Sequence, residues 1–151
     1  MLDFLIAPEG AVFGLGGLFL LSFLAATLLP GGSEAALVAL VLAHPEQTPM
    51  AFILATTGNT LGGMSTYAAG RLLPQKVGAG ETADSLKHLK YRDALHRHGT
   101  LLLLLAWTPV IGDALCAAAG WLRLPWLSSA LWMALGKGLR YAVVIVGVSA
   151  F

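Results

Sequence analysis

The chain has 151 residues, 57% hydrophobic and only 11% charged, with a formal net charge of +1 and a mean hydropathy of +0.77. A soluble domain carries about 25% charged residues, so this chain cannot cover a water-facing surface and its solvent is lipid. The near-neutral balance excludes nucleic-acid binding by bulk electrostatics, and the single cysteine, Cys116, excludes an internal disulfide or a cysteine metal cluster.

The start of the chain carries Asp3 and Glu9 and lacks the basic residues of a signal peptide, so no cleaved leader is expected. Residues 11–43 are apolar around a break at Pro30-Gly31-Gly32 and read as a hairpin of two short helices. The alternative is a full span over 11–29 followed by a short helix from Ser33 to Ala43. After the His44–Pro49 turn, residues 50–70 are free of charge and meet the length of about 20 residues that a span needs. Residues 71–98 are polar. Within them Thr82 to His98, with Leu86, Leu89 and Leu95 on one side, suits a helix lying on the lipid surface; a solvated coil is the alternative. Residues 99–122 are broken by Pro109 and Gly112 into two runs, Leu101 to Trp107 and Ala114 to Leu122, each too short to cross. They predict a re-entrant hairpin whose irregular tip is sheltered by protein or water, because lipid leaves free backbone groups unsatisfied. Residues 124–151 form the last span, which contains Lys137 and Arg140. Trp107, Trp121, Trp126 and Trp132 fit interface or packing positions.

The 71–98 loop holds six Lys and Arg against three Asp and Glu, and Arg123 joins the last hairpin to the last span. The positive-inside rule places both on the cytoplasmic side, with the chain start and the 44–49 turn outside. The two breaks share a pattern, Pro30-x-x-x-Glu34-Ala35 and Pro109-x-x-x-Asp113-Ala114, 79 residues apart. Each precedes a glycine-rich helix segment, Gly58-Asn59-Thr60-Leu61-Gly62 and Gly136-Lys137-Gly138. The expected fold is an all-α polytopic membrane protein: an inverted repeat of re-entrant helical hairpin plus transmembrane helix, with a cytoplasmic amphipathic segment. Such repeats bind substrates near the bilayer midplane.

Glu34 and Asp113 are the first site candidates. A charged carboxylate in lipid costs ~2.5–3.5 kcal/mol on insertion scales and is retained when paired, protonated or wet. Opposed hairpin tips would bring the two acids together, where they would share protons. The alternative is that each only caps the half-helix after its break. Lys137 and Arg140 lie roughly 18 and 22 Å from the cytoplasmic edge at 1.5 Å per residue and share a face. They suit pairing with the acids or with an anionic headgroup, the alternative being snorkelling, which fits Arg140 better. Asn59 holds the position of Lys137 in the other repeat, and a polar amide in a span bonds across helices. The Gly58–Gly62 pair permits close helix contact, chiefly within the chain, and Arg71 ends its span as a headgroup anchor. His88, His96 and His98 lack metal-ligand spacing, so no metal or cofactor is expected. No Ser-His-Asp set or phosphate loop occurs.

Five segments in order carry a family likeness: Leu29-Pro30-Gly31-Gly32-Ser33-Glu34, Tyr67-Ala68-Ala69-Gly70-Arg71, Trp107-Thr108-Pro109-Val110-Ile111-Gly112-Asp113, Ala119-Gly120-Trp121-Leu122-Arg123 and Leu135-Gly136-Lys137-Gly138-Leu139-Arg140-Tyr141. They resemble the DedA superfamily of VTT or SNARE-associated type, in its short YqaA-type branch. The resemblance implies a multi-pass bacterial inner-membrane protein with two opposed re-entrant hairpins and a role in membrane homeostasis. It also implies translocation of a lipid or polyprenyl phosphate, often coupled to protons. Typical members carry Arg-x-x-Pro-x-x-Arg at the second hairpin, where this chain has Ala106 and Gly112, and an Asp where it has Gly63. Lys137 and Arg140 are the replacements at hand for phosphate recognition. The expected function is therefore a lipid or lipid-phosphate carrier, not an enzyme, with membrane lipids and protons as partners; the small unit leaves a homodimer open, and the sequence does not fix the oligomer. The alternatives are a membrane enzyme using Glu34 or Asp113 as base on a lipid headgroup, and a non-catalytic assembly protein. Two spans and two hairpins place both chain ends outside. Cysteine accessibility in whole cells checks this, and a cytoplasmic first residue with an external last one means three spans.

Overall fold

The computed structural model describes residues 8–27, 32–73, 99–108 and 111–150, with side chains from residue 14 onward. All regular structure among them is helical: α1 (Pro8–Ala25), α2 (Gly32–Ala43), a 3-10 turn (Pro45–Gln47), α3 (Thr48–Leu72), a 3-10 helix (Leu101–Trp107), α4 (Ile111–Trp121) and α5 (Trp126–Ser149).

The boundaries follow from local chemistry. Pro49 sits in the first turn of α3, where its missing N–H is not needed, and the Thr48 hydroxyl donates to the Pro45 carbonyl at 2.7 Å. α4 closes with the Leu124 N–H on the Ala119 carbonyl (3.0 Å) and the Arg123 N–H on the Gly120 carbonyl (2.9 Å). This double closure needs a left-handed residue, and Arg123 supplies it at φ 54°. Pro125 then opens α5.

Among the described residues one helix, α5, is both long and apolar enough to cross a membrane. Its Leu127, Leu131, Leu135, Leu139, Val143 and Val146 are exposed along one face, while Met133, Lys137 and Tyr141 are buried on the other. A stripe of that kind would be a liability in water and is ordinary against lipid. α3, at 25 residues, is long enough, about 37 Å, but more polar. Three of its hydroxyls are satisfied within the helix: Thr57 donates to the Ile53 carbonyl (2.8 Å), Thr60 to Thr56 (2.6 Å) and Ser65 to Leu61 (3.1 Å). Such back-bonding removes the hydroxyl's demand for water.

α3 is the centre of the packing and lies against α1, α2, α4 and α5. Gly58 and Gly62 let it approach the carbonyls of Phe19 and Phe23 on α1, and a Cβ on Gly58 would lie 2.5 Å from the Phe19 oxygen. The Gly-x-x-x-Gly pair thus serves contact within the chain. Gly120 of α4 similarly crosses the Tyr67 carbonyl of α3. One apolar core gathers Leu18, Leu37, Leu40, Val41, Ala51, Ala55 and Tyr141, and a second gathers Tyr67, Leu103, Ala106, Cys116, Ala119, Leu124 and Met133.

Several expectations change in detail. Gly32 and Gly112 were expected within chain breaks, but both are helical, in the first turns of α2 and α4. Gly112 is kept small by the Ala106 carbonyl, 2.5 Å from where a Cβ would stand. Pro30, Gly31, Pro109 and the 82–98 surface helix lie outside the described residues. α1 starts and ends earlier than the 11–29 stretch, and α3 extends the 50–70 span by two residues at each end. Leu101–Trp107 is a 3-10 helix about 14 Å long at 2 Å per residue, under half the apolar thickness of a bilayer.

Gly120→Ala drives a methyl into backbone that cannot yield, so a loss of about 2–3 kcal/mol is expected. Gly16→Ala meets nothing within 4 Å and should be neutral or stabilising by up to about 1 kcal/mol. Thermal unfolding of both variants in detergent checks the contrast.

Candidate functional site

Lys137 and Asn59 are each the twelfth residue of their helix, α5 and α3, and so stand at mid-length. Both are buried, Lys137 at 2% exposure. An ammonium removed from water must find hydrogen-bond acceptors. Lys137 Nζ donates to the Asn59 backbone carbonyl (2.8 Å) and to the Asn59 side-chain Oδ1. Its nearest carboxylate oxygen, Oδ1 of Asp113, lies at 4.0 Å, an ion-pair distance and not a direct hydrogen bond. Space for the ammonium comes from Gly63, where a Cβ would sit 3.1 Å from Nζ.

The network continues past Asn59. Its Nδ2 donates to the Tyr141 hydroxyl (2.8 Å), which donates in turn to Ser33 Oγ (2.9 Å). Ser33, Asn59 and Tyr141 are all buried. One residue beyond Ser33, Glu34 forms an ion pair with Arg140. Glu34 and Asp113 are each the third residue of a helix, α2 and α4, where the helix dipole favours a negative charge. Side-chain exposure is 34% for Asp113, 21% for Glu34 and 20% for Arg140. The node is therefore sealed at its centre and partly open at both ends.

All five expected site residues, Glu34, Asp113, Lys137, Arg140 and Asn59, fall in this one node. Of the two pairings considered, a carboxylate dyad and acids matched to bases, the structure has the second: Glu34 lies on Arg140 and Asp113 near Lys137. The bases sit three apart on α5 and fix that pairing. Ser33, Gly63 and Tyr141 were not among the expected site residues. Tyr141 follows Lys137 by four residues, the spacing that shares a helix face, and it closes the Leu135–Tyr141 segment of the family likeness; these were its sequence signals.

At the end of α3, Arg71 Nη1 donates to the Tyr67 hydroxyl (3.0 Å), and that hydroxyl donates to the Leu124 carbonyl. This contact ties α3 to the α4–α5 turn and gives Arg71 a structural role as well as an exposed position. Among the described residues no group of three His, Cys, Asp or Glu can hold a metal.

Residues 29–150 match the VTT domain family. The chain is 42% identical over 127 residues to inner membrane protein YqaA of Escherichia coli (strain K12), covering 84% of this chain and 85% of that protein. The same figures hold for inner membrane protein YqaA of Shigella flexneri. An uncharacterized protein of Haemophilus influenzae is 38% identical over 135 residues, 85% of this chain and 83% of that one. No solved structure matches.

Lys137→Ala strands Asp113 and the Asn59 amide in the interior. A loss of about 3 kcal/mol is expected, after allowing for the third of Asp113 that water reaches. Arg140→Ala leaves Glu34 near the edge of the node and should cost no more than about half of that. Folded yield and thermal midpoint in the same detergent check the order.

Proposed function

The chain belongs to the VTT domain, or DedA, family of membrane proteins, and on that footing we propose that it is a multi-pass inner-membrane carrier for an anionic lipid or lipid phosphate, driven by protons. The observation that carries this reading is the buried node of two acids and two bases at the mid-length of the long helices. With both acids ionised and both bases protonated, the node has no net charge. Protonating Glu34 and Asp113 releases Arg140 and Lys137, and the node then carries two uncompensated positive charges. A phosphate group is their natural partner, because charge-assisted bonds to phosphate resemble those to carboxylate. Proton uptake and anion binding are linked in this way, with no further machinery.

The packing supports the inverted-repeat reading. α1 lies on α3 and the 3-10 helix on α5, while α2 contacts α5 and α4 contacts α3. Each first arm thus packs on the long helix that follows it; α4 packs chiefly on α3, while α2 touches α3 and α5 alike. α2 and α4 begin 79 residues apart, at Gly32 and Ile111, the spacing of the two proline breaks. Asn59 and Lys137, each the twelfth residue of its long helix, bond to each other, as expected if an approximate two-fold axis passes between them. Transporter repeats hold substrate at such an axis. The exposed leucines and valines of α1, α3, the 3-10 helix and α5 suit a lipid-facing exterior.

Glu34→Gln and Asp113→Asn retain a polar group at each helix start and should fold, but neither amide exchanges a proton. In liposomes, transfer of a labelled anionic lipid between leaflets should rise on acidification for the wild type. In each variant it should lose that pH dependence. Wild-type activity at every pH in both variants would leave the acids as helix caps and end the coupled-carrier reading.

A further inference from the structure

Asp113 and Asn59 both face Lys137, yet the ammonium is seated on the neutral amide and not on the carboxylate. An electrostatic attraction alone would choose the opposite. What selects the amide is its orientation. An asparagine side chain presents an acceptor at one end and two donors at the other, so it can hold an ammonium only when its Oδ1 faces that group. Here Nδ2 is turned away and held by the Tyr141 oxygen at 2.8 Å. The tyrosine can accept that bond because its own proton is spent on Ser33 Oγ, 2.9 Å away. Donors and acceptors therefore run in one direction, from Lys137 through Asn59, and from Asn59 through Tyr141 to Ser33. All four groups are buried, so no competing water sets the amide's direction.

We propose that Tyr141 and Ser33 are positioning residues, which lock the Asn59 amide so that it holds Lys137 and leaves Asp113 as the exchangeable proton site. This deepens the proton-coupled reading above and rests on it only for the link to transport. Asp113 is suited to the task, being one-third exposed while Lys137 is sealed. The groups around it are accounted for. Cys116 lies on its own helix, Lys137, Arg140 and Tyr141 on α5, and Tyr67 and Arg71 toward the far end of α3. Arg140 is engaged by Glu34, and Arg71 by Tyr67. The 3-10 helix Leu101–Trp107 brings no titratable side chain. Lys137 is thus the cation whose position decides how readily Asp113 takes up a proton. Without the lock the amide is free to turn its donors toward the ammonium, and Lys137 then moves onto Asp113.

The test reads the Asp113 proton itself. Infrared difference spectra of the purified full chain in lipid, titrated with acid, show a carboxyl band that Asp113→Asn removes. In Tyr141→Phe the pH at which this band is half developed should fall by about one unit, a tenfold higher proton concentration, the low end of the effect of a cation drawn against a carboxylate. Asn59→Ala should do the same, and Ser33→Ala should act in the same direction but less. Circular dichroism and the thermal midpoint confirm that each variant is folded. If folded Tyr141→Phe and Asn59→Ala both titrate as the wild type does, the positioning role is wrong. Should Tyr141→Phe fail to fold, the Asn59→Ala and Ser33→Ala titrations decide by the same criterion. The result does not depend on transport: a shifted band in a protein that moves no lipid would uphold the positioning role and sink the carrier reading.

Discussion

The Lys137 ammonium, buried halfway along α5, is the constraint on which the rest of this structure depends. A cation in that position is tolerable only with acceptors on every accessible side. Asn59 supplies two of them, and Asp113 supplies the compensating charge. Gly63 vacates the space, and the crossings at Gly58, Gly62 and Gly120 bring the helices close enough to meet around it. The relative polarity of α3 has the same origin: a helix that serves as the inner partner of a buried cation cannot be a uniform apolar rod.

Polar groups run through the node, from Asp113 at one partly open end to the Glu34–Arg140 pair at the other, with a sealed middle of Lys137, Asn59, Tyr141 and Ser33. This distribution combines two requirements that usually conflict. The node is charge-balanced and hydrogen-bonded, so it is stable in an apolar surround. It is also poised, since protonation of either carboxylate frees a base that was already desolvated. The outer faces of leucine and valine confine the chemistry to this interior.

Much of the architecture was legible in the sequence, because apolar run length and Pro-Gly breaks are local signals. The helices Gly32–Ala43 and Trp126–Ser149 begin and end within two residues of the apolar segments that announced them. Glu34, Asp113, Lys137, Arg140 and Asn59 stood out because charged or amide groups are rare in such segments. Pairing of acids with bases was one of the readings open, but which base serves which acid was not legible. Two acids after two similar breaks suggested a shared-proton dyad, but a repeat pattern does not reveal which way a neighbouring helix turns its bases. Ser33 and Tyr141 stayed hidden for a related reason: hydroxyls are common in membrane helices, and only the partner across the interface distinguishes a bonded one. Gly32 and Gly112 misled because glycine near a proline reads as a loop, whereas Gly112 is small to let the Ala106 backbone pass.

The most direct test is a double-mutant cycle between Asn59 and Lys137, read as thermal stability in detergent. Asn59→Leu keeps the backbone carbonyl but removes the side-chain acceptor of the ammonium, and should be strongly destabilising. Adding Lys137→Met removes the stranded charge and should restore much of the loss, with a coupling of more than about 1 kcal/mol between the two sites. If the two single losses simply add, Lys137 does not rest on Asn59, and the node is not the element that organises this protein.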